Sequence, residues 1–540
     1  MTASQAGVLA IALVCGVTLV AGAFGLRLSR TTSDFYVAGR SVSAGWNASA
    51  IGGEYLSAAS FLGIAGLVYA LGVDMLWFPV GYTVGYVVLL VLVAAPLRRS
   101  GAYTLPDFAE ARLESRRVRA LASLLVVGIG WLYLLPQFQG AGLALSTVTG
   151  APPGLGSFVV AFVVVANVTA GGMRSITLVQ AVQYWIKLTA ISVPAFVLLA
   201  IWVRSGAPAP AVANDPTSTW GDALGGFGGR EHPVYATYST ILALCFGTMG
   251  LPHVLVRFYT NPDGRAARRT TVVVVALLGL FYLFTPVYGV LGRVYLPALP
   301  GGTRADSVSL LLPSAATDGA LATVLSAVLA GGAFAAFLST ASGLTISVAG
   351  VIDQDLLSRI GRLVRSGNSG SSGRSARSPK WGRMRPDRVV PRIRSFRLAA
   401  VVAVVVPYAA SWLSPNTSLA DTVGLAFAVA ASTFCPLLVL GVWWRRLSVT
   451  GAAAGLVTGG LLALTATTIT VLGGPGLVGG GWPGALLAQP AAWTVPTAFV
   501  VAVLVSYATP GSIPAGAART MVRLHAPEGL RAPTRPPTTG

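Results

Sequence analysis

Long apolar runs, each about as long as a helix needs to cross a bilayer, alternate along this chain with short loops rich in Arg. A spanning helix takes about 20 mainly apolar residues. That measure predicts thirteen helices, near residues 5–27, 44–73, 75–97, 121–148, 155–171, 179–203, 235–257, 271–296, 317–350, 396–414, 418–440, 449–472 and 491–508. The expected fold class is an all-α polytopic membrane protein. The first run has no Lys or Arg ahead of it, the nearest being Arg27 behind it, so it reads as a span and not as a cleavable signal peptide.

Composition agrees. Of 540 residues, 54% are hydrophobic and only 10% charged, whereas a soluble domain carries about a quarter charged residues, which excludes a cytosolic enzyme. The net charge of +20 is set between the apolar runs and not along one face, so it speaks of topology and not of nucleic acid. With the amino terminus outside, 32 Lys and Arg fall in inside loops and tail against four in outside loops, the bias of the positive-inside rule. One span added or lost would scramble it. The carboxyl terminus is then cytoplasmic. Cys15, Cys245 and Cys435 all lie in apolar runs without metal-ligand spacing and read as buried thiols. The Ser-, Gly- and Arg-rich stretch from Ser366 to Pro391 is expected as a flexible basic linker within 355–395, and the tail after Thr509 as disordered.

Two of the runs are interrupted. The second contains Ile51-Gly52-Gly53-Glu54-Tyr55-Leu56-Ser57 and the seventh Gly247-Thr248-Met249-Gly250-Leu251-Pro252-His253. Five segments separate them, an odd number, so two units built this way enter from opposite faces. Paired Gly/Pro breaks in such an inverted repeat point to a midplane site of a secondary transporter; the bland alternative is that the glycines only allow close packing. A broken helix offers unpaired N–H groups to an anion and freed carbonyls to a cation, and bare backbone at this depth is tolerated only where it lines a cavity. Glu54, Tyr55, Ser57, Gln137, Gly250 and His253 are the candidate substrate contacts.

Ionisable groups inside spans are informative, because each costs roughly 2.5 to 3.5 kcal/mol near a helix centre. Glu54 could hold a cation, carry a proton or be a structural carboxylate. Lys187 is expected to snorkel to an interface or pair with a neighbour. Asp421, near a helix end, suits a surface role, and His253 could be packed and hydrogen-bonded or face a ligand. In the ninth run, the hydroxyls of Ser339 and Thr340 with the carbonyl of Ala336 could form a hard-oxygen shell for Na⁺, or bond back to their own helix. Gln139 and Asn167 could line a cavity or join helices. The sequence holds no GxSxG, HExxH, CxxC or Walker A pattern and only three His, so no catalysis is expected and uphill transport would draw on an ion gradient.

Gly171-Gly172-Met173-Arg174-Ser175-Ile176-Thr177-Leu178-Val179-Gln180 resembles the GG-M-[RK]-x-x-T-x-x-Q stretch of sodium:solute symporters, and Gly441 to Gly460, with Arg446, Gly451-Ala452 and Gly455, is similar to their second signature. Within that family, Glu54 to Gly63 and Gly250 to Phe258 resemble the cation/acetate and monocarboxylate symporters of bacteria. The resemblance implies a leucine-transporter-type 5+5 inverted-repeat core over 44–440, its first repeat at 44–203 and its second at 235–440. A leading helix and loop would occupy 1–43, two further helices 441–508 and a tail 509–540. It implies a sodium site on the carbonyls of Gly53, Leu56 and Ala336 and the hydroxyls of Ser339 and Thr340. Glu54 stands where that branch usually has Asp, which leaves the coupling ion, Na⁺ or H⁺, open; no other cofactor is expected. The implied function is import of a small monocarboxylate across the bacterial plasma membrane, with Arg257 on the cytoplasmic side as a gate or lipid contact. A same-fold symporter for an amino acid or vitamin, or a membrane solute sensor, are the alternatives.

Overall fold

The computed structural model describes residues 2–28, 42–210, 212, 218–222, 224, 232–299, 302–357, 389–413, 418–478 and 480–527. Among these the chain forms helices and no strand. Eleven helices are long and apolar enough to span a membrane, and two bent pairs bring the number to thirteen, in register with the thirteen predicted runs. Most of the predicted linker lies outside the described residues.

Helix α1 is Ala3–Leu28. Helices α2 (Ala44–Tyr55) and α3 (Ile64–Leu71), joined through a π-helical turn at Ala59–Gly63, form the first bent pair, at 70°. After α4 (Trp77–Leu92), α5 (Ala94–Ser100) and α6 (Leu105–Leu113) comes the long α7 (Arg116–Thr149). Helix α8 (Pro153–Arg204) contains two spans that part at Gly172. There φ is +64°, a conformation that glycine alone takes without a Cβ penalty. Helices α9 (Pro233–Gly247) and α10 (Pro252–Phe258) form the second bent pair, at 47°, across a tight turn at Thr248–Gly250. The rest are α11 (Gly264–Tyr282), α12 (Thr285–Tyr295), α13 (Val308–Ala316), α14 (Gly319–Val351), α15 (Val389–Leu413), α16 (Leu419–Trp443), α17 (Val449–Val478), α18 (Gly481–Ala488), α19 (Ala491–Ala508) and α20 (Ala517–His525).

Both breaks lie in the middle of the packing. Helix α2 runs on α8, α14 packs against α8 and α1, and the second break sits on α16. A Cβ at Gly53 would collide with the carbonyl of Gln180, and one at Gly247 or Gly250 with the carbonyls of Phe427 or Ala430. The break glycines therefore serve packing and breakage together, since backbones can approach this closely only where side chains are absent. On the outside, large apolar side chains such as Leu13, Phe162, Phe196 and Leu283 are exposed, as a lipid-facing surface requires. Cys15, Cys245 and Cys435 are buried free thiols. Part of the tail expected to be disordered is helical: in α20, Leu524 is fully buried and the carbonyl of His525 accepts from Arg99 Nη1 at 3.2 Å.

Candidate functional site

The first break exposes the carbonyls that a continuous helix would have used. Tyr55 ends α2, and Leu56, with ψ 89°, leaves the helical path. Lys187 of α8 fills the gap. Its Nζ donates to the carbonyls of Gly53 and Leu56, the latter at 2.8 Å, and to Ser339 Oγ at 2.6 Å. Ser339 Oγ in turn donates to the Ala336 carbonyl at 3.0 Å, and Thr340 Oγ1 to the Glu54 carbonyl at 2.6 Å. All five residues expected to hold a cation thus come together, and three converge on one point, the Lys187 ammonium. Lys187 is 0% exposed, so it does not snorkel; freed carbonyls within the bundle give its charge partners that an interface would otherwise supply.

The Glu54 carboxylate lies against Gly343 of α14. Arg257 of α10 donates through Nε to Glu54 Oε2 at 2.6 Å, through Nη1 to Thr177 Oγ1 at 2.6 Å, and through Nη2 to Gln180 Oε1. Gln180 Nε2 completes the link by donating to the Ser339 carbonyl at 2.7 Å. Glu54 and Arg257 are 2% and 1% exposed, which overturns lipid contact as the role of Arg257: a guanidinium with three acceptors around it is held inside. Lys187 pairs with neighbours, as one of its two expected fates had it, while Thr177 and Gln180, seen only as part of a family stretch, were not among the candidate contacts. A signal was available, because Thr177, Gln180, Tyr184 and Lys187 recur at helical spacing and form one polar face of α8.

The two breaks meet at Tyr55, whose hydroxyl lies 3.0 Å from Thr248 Oγ1 and 3.3 Å from the Tyr82 carbonyl. Gln137 is turned onto the backbone beside it: Oε1 accepts from Ala58 N–H at 3.0 Å and Nε2 donates to the Tyr133 carbonyl at 3.3 Å. Phe427 of α16 is the hub of an aromatic cluster, with ring centroids 6.0 Å from Tyr55, 5.1 Å from Tyr82 and 5.9 Å from Tyr133. Tyr86 adjoins Tyr55 at 4.8 Å and His253 adjoins Tyr133 at 5.2 Å. Within this cluster Ser57 Oγ, Tyr82 OH, Tyr86 OH and both nitrogens of His253 are buried without a hydrogen-bond partner. His253 is therefore packed but not hydrogen-bonded. Asn167 Nδ2, by contrast, reaches Ser342 Oγ at 3.4 Å and joins two helices.

An all-helical membrane bundle with two broken helices five spans apart, meeting around buried polar groups, defines a secondary transporter of the leucine-transporter fold. The chain belongs to the sodium:solute symporter family, which it matches over residues 35–373 and 388–459. It is 31% identical over 459 residues, 85% of each chain, to YwcA of Bacillus subtilis, described as an uncharacterized symporter. It is 30% identical over 466 residues to a monocarboxylic acid transporter of Corynebacterium glutamicum, covering 81% of this chain and 79% of that one. Among solved structures, a substrate-bound, outward-open Na⁺-coupled sialic acid symporter aligns with a TM-score of 0.66 at 16% identity, over 93% of this chain and 98% of the other. MhsT in complex with L-phenylalanine aligns at 0.51 and 14%, over 86% and 99%. At such identities the likeness establishes the fold alone. The family implies sodium, but the shell does not fit that ion: three of the five oxygens that would ligate it, those of Gly53, Leu56 and Ser339, already accept from Lys187.

Proposed function

We propose that the chain imports a small monocarboxylate such as acetate, propionate or pyruvate by alternating access, coupled to Na⁺ or H⁺, and takes the carboxylate between the two breaks. One observation carries this reading. With Lys187 and Arg257 protonated and Glu54 ionised, the first break holds two positive charges and one negative, one positive charge in excess in a dry core. Beside it, Ser57, Tyr82, Tyr86 and His253 offer polar groups with nothing to bond. A small, singly charged anion supplies the missing charge and the missing acceptors at once, and both deficits are costly in a low-dielectric interior. The relative in Corynebacterium glutamicum, named a monocarboxylic acid transporter, supports the same substrate class. In this reading the Glu54–Arg257 pair bars the path on the cytoplasmic side, and Tyr55 and Gly250 shape the two ends of the binding space.

The test is uptake by the full chain in proteoliposomes under an imposed sodium or proton gradient, counted above protein-free vesicles because short acids cross lipid unaided. Labelled acetate, propionate and pyruvate should accumulate and compete with one another. Accumulation of an amino acid or a vitamin, with none of the short acids, overturns the assignment.

A further inference from the structure

The chain fills its own cation shell. A lysine ammonium has three N–H donors, and three acceptors stand around Nζ of Lys187: the carbonyls of Gly53 and Leu56 and the hydroxyl of Ser339. Every donor is used, and solvent does not reach the group. These acceptors are three of the five oxygens that the family resemblance assigns to sodium. The ammonium is also held in place by the packing. Helix α2 lies so close on α8 that a Cβ at Gly53 would meet the Gln180 carbonyl, and Lys187 follows Gln180 by two helical turns. The other charged groups at the break are Glu54, which adjoins Gly53 in the chain, and Arg257, which bonds Glu54. Helix α14, which supplies Ser339, carries no ionisable residue.

A sodium ion brought to these oxygens would find their lone pairs engaged and a like charge beside it. At about 4 Å and an effective dielectric of about 20, that repulsion alone weakens binding roughly a thousandfold. We propose that the ammonium of Lys187 is the cation of this site, built into the chain, and that the protein binds no sodium ion there. The inference rests on the reading of this shell as the coupling site and narrows the choice of ion within it.

Two measurements on the unaltered full chain decide the matter. A ligand that binds only the folded state raises its melting temperature, so without any organic acid the purified protein should melt at the same temperature in NaCl and in KCl of equal strength. Vesicles preloaded with acetate should exchange it for labelled acetate at the same rate with and without sodium. A sodium-specific rise in melting temperature, or exchange that needs sodium, overturns the inference. Should no acid exchange in either salt, the monocarboxylate assignment fails while the melting comparison still decides the cation. Lys187→Met keeps the stem and removes the charge, and it should slow exchange in KCl by about tenfold or more; exchange at the unaltered rate would show the ammonium to be dispensable.

Discussion

A buried hydroxyl with no partner lowers stability, and its retention asks for a ligand. Tyr86 is such a case, fully buried in the aromatic cluster with its OH unpaired. Tyr86→Phe should melt at or above the temperature of the unaltered chain, because removing an unsatisfied polar atom of the same shape is neutral or stabilising. The same change should raise the apparent acetate constant by about tenfold, the worth of one hydrogen bond to a charged group; lower stability with unchanged affinity would make the hydroxyl structural. Much of this scale was legible beforehand. Gly53, Leu56 and Ser339 followed from a break beside a hydroxyl run and from the family resemblance. Lys187 was legible as an ionisable group inside a span but its partners were not, because spacing along a helix marks a polar face and does not say which neighbour that face meets. His253 stood open between two environments, and its unpaired nitrogens are a fact of packing that no pattern carries.

Broken helices hold together only if the groups they free are bonded elsewhere, and here neighbouring elements do that work. Gln137 of α7 takes the Ala58 N–H, Thr340 of α14 takes the Glu54 carbonyl, and Arg257 of α10 takes the Glu54 carboxylate. Glu54→Gln should therefore lower stability by about 3 to 5 kcal/mol, since it strands a buried guanidinium. Glu54→Gln with Arg257→Gln should lose less than the single change, as read by thermal melting in detergent; additive losses would show that the two side chains do not act as a pair. The spans were legible because about 20 apolar residues in a row leave a chain few other places to go. The Gly172 corner was legible only as the end of one run and the start of the next, since a single positive φ leaves no periodic trace. Helix α20 was hidden for a different reason. Its nine residues are too few to be stable alone, and the Arg99 that holds it lies more than 400 positions earlier in the chain.

At the scale of the whole molecule, the excess of basic residues in alternate loops argues for an amino terminus outside and a carboxyl terminus in the cytoplasm. A single cysteine placed at Ser4 in a cysteine-free background should react with a membrane-impermeant thiol reagent on intact cells, and one placed at Arg519 only after lysis; the reverse pattern would invert every loop. The 5+5 arrangement was visible as the odd number of segments between two breaks, but the way the breaks close on each other through Tyr55 and Thr248 was not, because that contact joins residues nearly 200 positions apart. Lys187 has an electrical consequence for the whole transporter. A countercharge tethered to the polypeptide swings back with it and never leaves the membrane, so it contributes nothing to the charge delivered per cycle. An inside-negative potential is worth about 2.3 kcal/mol per elementary charge per 100 mV, and it can speed entry of an anion only if more than one mobile cation travels along. Voltage clamped across vesicles thus counts travelling cations directly: import should not accelerate as the interior is made negative, and any acceleration would register cargo that a tethered amine cannot provide.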